Sequence, residues 1–302
     1  MRSLMKTHSV ILAVAFCVFM AGKASAFNVM PMTVELTASA GESYTGSIEV
    51  NNSNGEALEP VRVYMEDWDR KPNGDLINMM AGSLARSCSG WLSLNPTQFD
   101  VPLHGAIDVK YTFAVPANAS GSYWTFILFE GVKKPTSPPG EKDGVQLFIG
   151  ANIRYAVKFV INVNNGRTVQ GKITEISVAP PAAGAVPVSG APTIKNAANL
   201  PKNVPLVAKI VFSNTGNTYV KPVGFFEIRN LDGETVLRKD IGQFNVFPGG
   251  DKWIIEPIEK ELSPGEYIAM AVLDYGGDSL VAGESRFISP SADAPKDSTG
   301  GK

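Results

Sequence analysis

Alternation organises this chain. Apolar and polar residues change places at every second position over much of 27–163, as in Ser47-Ile48-Glu49-Val50 and Val61-Arg62-Val63-Tyr64-Met65-Glu66-Asp67-Trp68. Successive side chains of a strand point to opposite faces, so this period predicts strands with one face on a core. Ile107-Asp108-Val109-Lys110-Tyr111-Thr112-Phe113-Ala114-Val115 is the cleanest case. Tyr123 to Phe129 is nearly all apolar instead, which predicts a central strand covered on both faces. Short strands are also expected at Trp91-Leu92-Ser93-Leu94 and from Gln98 to Val101, interrupted by Pro96. Turn clusters such as Asn51-Asn52-Ser53-Asn54-Gly55 and Lys71-Pro72-Asn73-Gly74 punctuate the series.

From Ile149 to Val163 the alternation runs without a break. Ile149, Ala151, Ile153, Tyr155, Val157, Phe159, Ile161 and Val163 share one face, and Gly150, Asn152, Arg154, Ala156, Lys158 and Asn162 the other. A typical strand has about 5–6 residues. One this long either continues from one domain into the next or leaves an apolar edge uncovered, and such an edge recruits another strand.

The second half repeats the pattern. Strands are expected at Val207 to Phe212, Val220 to Ile228, Thr235 to Lys239, Lys252 to Ile255, Glu266 to Leu273 and Leu280 to Ile288, with turns at Asp232-Gly233 and Gly276-Gly277. The fold class is therefore all-β, two immunoglobulin-like β-sandwiches in tandem. The first is assigned to 27–164 and the second to 165–288. A Pro/Ala-rich insertion at 179–204 reads as flexible and the polar tail 289–302 as loose.

Composition sharpens this picture. The 302 residues suit two domains, and 44% apolar residues suffice for two cores. Residues 1–26 read as an export signal: Arg2 and Lys6, an apolar stretch from Val10 to Met20, then Ala24-Ser25-Ala26 before Phe27. The mature protein is expected in the periplasm, or alternatively secreted or held at the cell surface, without a transmembrane span. Cleavage removes Arg2, Lys6 and Lys23 but no acid, leaving 24 basic residues against 29 acidic, a formal charge of −5. That balance excludes nucleic acid as a partner, since phosphate binding needs a cationic face. Only Cys88 survives cleavage, so no internal disulfide is expected.

The residues of catalysis are missing. His104, in Pro102-Leu103-His104-Gly105, is the one histidine after cleavage, and no nucleophile motif accompanies it. His104 and Cys88 cannot supply a zinc site, so neither metal nor cofactor is expected. Glu66 and Asp67 are adjacent on a strand and point to opposite faces, so they cannot converge as paired carboxylates; both read as solvated or turn-forming. The chain is not expected to be an enzyme.

Four stretches carry a resemblance. Met30-Pro31-Met32-Thr33-Val34-Glu35-Leu36, Gly46 to Asn52, Trp91 to Val101, and Ser122 to Phe129 followed by Val145 to Lys158 are similar to strands of the PapD-like periplasmic chaperones of chaperone–usher pili. The resemblance implies a chaperone-like protein that binds a partner polypeptide, a pilin-like or surface subunit, by β-strand addition, with an usher among its further partners. It implies that Arg154 takes the place of the family's cleft lysine and Thr33 that of its cleft arginine. The latter is a departure, because a threonine cannot anchor a carboxylate as a guanidinium does. Ile153, Tyr155, Val157 and Phe159 then have two roles open to them: contacts offered to the partner, or packing within the chain's own core. The second half departs further from the family, and Leu262-Ser263-Pro264-Gly265-Glu266-Tyr267 reads as an ordinary sandwich hairpin. The alternative reading is a structural or adhesive envelope protein with Ig-like modules, in which Trp68, Trp91 and Trp124 are core residues.

Overall fold

The computed structural model describes residues 27–53, 58–132, 152–181 and 204–289. Where the sequence alternates, the backbone is extended, and the buried positions fall at every second residue. In the strand Ala106–Ala114, for example, Val109, Tyr111 and Phe113 point inward while Lys110, Thr112 and Ala114 are exposed. The predicted signal 1–26, Ile149 and Ala151, residues 182–203 of the insertion, and 290–302 of the tail lie outside the described residues.

The first sandwich is built from β1 (Asn28–Met30), β2 (Thr33–Ala38), β3 (Ser43–Asn51), β4 (Glu59–Arg70), β5 (Leu76–Met80), β6 (Leu92–Asn95), β7 (Gln98–Val101), β8 (Ala106–Ala114), β9 (Gly121–Gly131) and β10 (Arg154–Val163). One sheet has the order β1-β3-β8-β6 and the other β2-β10-β9-β4-β5, with β7 paired to the first residues of β4. This is the immunoglobulin arrangement, with the first strand split between the two sheets. Ile48, Val50, Val63, Phe113, Ile127, Phe129, Phe159 and Ile161 fill the core between them. The second sandwich sets β11 (Gly171–Ala179), β12 (Leu206–Asn214) and β15 (Asp251–Ile258) against β14 (Thr235–Ile241), β13 (Val223–Arg229), β16 (Gly265–Asp274) and β17 (Val281–Ser289). Its core holds Ile210, Phe212, Phe226, Ile228, Ala271 and Leu273.

β9 is covered on both faces, as its apolar run implies. Ile127 and Phe129 enter the first core, whereas Trp124, Phe126 and Leu128 point the other way, into a cluster with Trp68, Val160 and Phe247 of the second sandwich. The Trp68 and Phe126 rings stack at 4.7 Å, and Phe247 meets Trp68 edge-on at 4.9 Å. Trp68 and Trp124 are thus buried in the junction rather than in a sandwich core. Main-chain bonds join the same surfaces: Ser122 N–H donates to Asn217 O at 2.8 Å, and Trp253 N–H to Pro72 O at 2.8 Å. Gly121 has φ of 75°, and a Cβ there would stand 2.1 Å from Asn217 O, so this approach requires glycine.

Asp67 corrects an expectation. It faces the core side of β4, opposite to Glu66, and is fully buried rather than solvated. The loop after β5 returns over the sheet and, with the neighbouring strand β9, satisfies it: Leu84 N–H and Ser87 Oγ of the loop and Thr125 Oγ1 of β9 donate to its carboxylate at 3.0, 2.7 and 3.2 Å. A buried carboxylate survives in a core when donors surround it.

Candidate functional site

The expected strand donor, β10, has two unlike halves. From Lys158 to Val163 it lies between β9 and β2, with β2 running parallel in the register Lys158↔Thr33 to Val163↔Ala38. From Arg154 to Val157 it pairs, among the described residues, with β9 alone. The cause is upstream. β1 pairs with β3 in the opposite sheet as far as Met30↔Glu49, and the chain crosses between sheets at Pro31 and Met32. Cover for β10 therefore begins at Thr33.

Main-chain direction follows from the bonds on either side. Gly131 N–H donates to Ile153 O at 2.9 Å, and Lys158 N–H donates to Met32 O at 3.1 Å. Backbone groups of an antiparallel strand alternate between its two neighbours. Odd residues of β10 therefore bond toward β9, while Arg154 and Ala156 direct both N–H and C=O to the other side. Among the described residues neither has a main-chain partner there. Met30 and Met32, 62% and 44% exposed, border this open stretch.

The side chains sort by parity. Val157 and Phe159 are at 0% exposure inside the first core, where Phe159 meets the Tyr111 and Phe113 rings edge-on at 5.1 and 5.7 Å. Of the two roles open to them, the structure places them in the chain's own core, because that face of β10 is the inner face of the sandwich. Tyr155 is half-buried against Phe27 at 5.1 Å, and Ile153 is half-buried just ahead of the strand. Arg154 lies on the outer face. Its Nη1 donates to Glu66 Oε1 at 3.3 Å and to Tyr64 Oη at 3.4 Å. The strand register sets Arg62, Glu130 and Arg154 in one row, with Arg62 paired to Glu130 at 2.7 Å. The hydrogen bond from Arg62 holds the Glu130 carboxyl below its ordinary range. An open groove of about 580 Å³ begins here, with Gln98, Phe99 and Asn152 on its walls.

The strand register sets the two expected cleft positions apart. Thr33 is exposed and lies opposite Lys158, not Arg154, which stands four residues back along the strand, about 13 Å at 3.3 Å per residue. The two expected cleft positions are therefore not brought together. Lys158, which the sequence reading placed on the polar face without a role, occupies the position beside Thr33. Its ammonium sits 5.9 Å from the Trp68 ring, and burial, then the Arg70 guanidinium, lower its pKa. The identity of every second residue marks a face but says nothing about which distant strand meets which residue, so no local signal could have chosen Lys158 over Arg154.

The other candidates are structural. His104 adopts φ of 55° in its turn, with Nδ1 3.1 Å from Ser53 O. Cys88 is buried, and desolvation pushes its thiol far above the usual range. Among the described residues no group of three His, Cys, Asp or Glu side chains converges, and no helix is long and apolar enough to cross a membrane.

No family model and no curated protein matches the chain. The likeness is to fimbrial chaperones. CfaA, a class 5 fimbriae chaperone, is 13% identical and aligns over 88% of this chain and 99% of its own, with a TM-score of 0.45. A chain of a chaperone–tip adhesin complex of CFA/I fimbriae is 14% identical over 88% of this chain and 100% of its own, with a TM-score of 0.44. A chain of the CsuC–CsuE chaperone–tip adhesion subunit pre-assembly complex, from archaic chaperone–usher Csu pili of Acinetobacter baumannii, is 8% identical over 86% and 97%, with a TM-score of 0.42.

Proposed function

We propose that the chain is an exported, non-enzymatic chaperone-like protein of the periplasm that binds a pilus or surface subunit by adding that subunit's strand to β10. One observation carries the reading: β2 stops covering β10 at Lys158, leaving the N–H and C=O groups of Arg154 and Ala156 directed outward beside exposed apolar residues. An unpaired edge of this kind supplies main-chain affinity, and the side chains flanking it supply choice of partner. Arg154, Ile153 and Tyr155 touch the incoming segment. Val157 and Phe159 support it from beneath as core residues, and Thr33 marks where the chain's own strand takes over. The burial of Val157 and Phe159 equally suits the alternative, an envelope protein with inert Ig-like modules.

Co-expression with a pilin-like subunit separates the two readings. The subunit is expected to co-purify and to gain protection from proteolysis. Ala156→Pro removes the outward N–H at a position where an edge strand tolerates proline, so it should abolish the complex while leaving the fold intact. A subunit no better protected with this protein than without it ends the chaperone reading.

A further inference from the structure

β5 ends the sheet β2-β10-β9-β4-β5 on the side away from β2. Edge strands are usually blunted by charge, proline or shortness, because bare N–H and C=O groups recruit another chain. The longer edges of this molecule follow that rule: Glu35 lies in β2, Lys172 in β11, Lys239 in β14, Pro257 in β15 and Arg286 in β17. The edges β1, β6 and β7 have at most four residues each. β5 breaks the rule, reading Leu76-Ile77-Asn78-Met79-Met80 without charge or proline.

Its main chain is open on one side. β5 pairs with β4 in the register Glu66↔Met80 to Arg70↔Leu76, and no strand among the described residues pairs with its other side. Lys71 N–H donates to Asp75 O at 2.9 Å and closes the hairpin, so Ile77 and Met79 also bond toward β4. Leu76, Asn78 and Met80 direct N–H and C=O outward, where Ser83 N–H and Oγ meet Met80 O at 3.1 and 2.6 Å. Leu76, Ile77 and Met80 are 46%, 37% and 83% exposed, so both faces of the strand carry apolar side chains into solvent.

This edge is complementary to itself. A two-fold axis at Asn78 sets Asn78 against its own copy, Ile77 against Met79 and Leu76 against Met80 of a second chain. The two Asn78 residues then exchange both main-chain bonds, and Met80 N–H reaches Leu76 O on either side. Asp75 falls opposite Ala81, so no charge meets its like. A foreign segment would have to match this row residue by residue, whereas a second copy matches it by symmetry.

We propose that β5 is a self-association edge, at which two copies of the chain pair antiparallel about Asn78 and join their sheets into one. The open stretch of β10 lies toward the far end of the same sheet and stays free in such a dimer, so self-association here is independent of strand addition there.

Sedimentation velocity of the purified exported chain over a range of concentrations tests the edge. A reversible monomer–dimer equilibrium is expected. Asn78→Lys sets two ammonium groups face to face and should weaken the dimer about tenfold or more. The charge-matched Ser93→Lys, at an exposed position of the edge strand β6, should leave it unchanged. Asn78→Cys reads the register without adding charge. A bonded antiparallel pair sets its Cα atoms about 5.5 Å apart, within disulfide reach, so mild oxidation should give a covalent dimer. Leu76→Cys should not cross-link, because its copy lies four residues along the strand, about 13 Å away. Cys88 is buried and takes no part. A monomer at every concentration, a dimer indifferent to Asn78→Lys, or equal cross-linking at both positions overturns the proposal.

Discussion

The two halves of β10 share one alternating pattern and meet different fates. Between Lys158 and Val163 the strand is bonded on both sides and its inner residues are fully buried. Between Arg154 and Val157 the side chains alternate in the same way, yet beyond the crossover at Pro31 and Met32 no strand among the described residues pairs with the second edge. Burial of a side chain and pairing of its backbone are thus separate properties. Val157 is as buried as Phe159 although it lies in the uncovered half. From Val157 to Val163 the apolar row is a core feature, and what distinguishes the proposed site is its main chain.

That contrast can be broken with substitutions of graded effect. Val157→Asp should have the largest, because it sets an unpaired charge in the core; loss of the folded state by circular dichroism is the expected result, with several kcal/mol at stake. Ile153→Asp, at a half-buried position just outside the strand, should leave the sandwich folded, and if both unfold alike the contrast between the buried and half-buried ends of the apolar row is lost. Phe159→Ala should cost roughly 3–5 kcal/mol in chemical denaturation, and Tyr155→Ala clearly less, since the tyrosine is only half-buried. Arg154→Ala should leave stability within about 0.5 kcal/mol, an exposed ion pair contributing little, while binding of a subunit weakens. Normal affinity would remove Arg154 from the site.

The smallest effect concerns the charged row beside the open edge. Glu130 is held below the ordinary carboxylate range chiefly by its hydrogen bond from Arg62. A depressed folded value means that the pair adds stability above the unfolded carboxylate pKa and loses it as pH falls through the lower, folded one. Carboxyl resonances followed by NMR should show Glu130 titrating low in the wild type and moving upward in Arg62→Gln. An unchanged titration would assign the shift to something other than Arg62.

Much of this was legible in the residues. The alternation of Ile107 to Val115 and the apolar run Tyr123 to Phe129 named their strands. Glu66 and Asp67 were rightly assigned to opposite faces, but the burial of Asp67 was not, because the donors that make it tolerable arrive from Leu84, Ser87 and Thr125. Arg154 was set on the polar face, where it is exposed, but the residue that stands beside Thr33, Lys158, was given no role.

By itself, then, the sequence determined which segments extend and which side of each carries the apolar load, since that depends only on a residue and its neighbours two positions away. Tertiary structure decided where β2 begins to shield β10 and which lysine stands beside Thr33. Those outcomes depend on closing long loops into one register, and residues separated by scores of positions hold no local record of the partner they will meet.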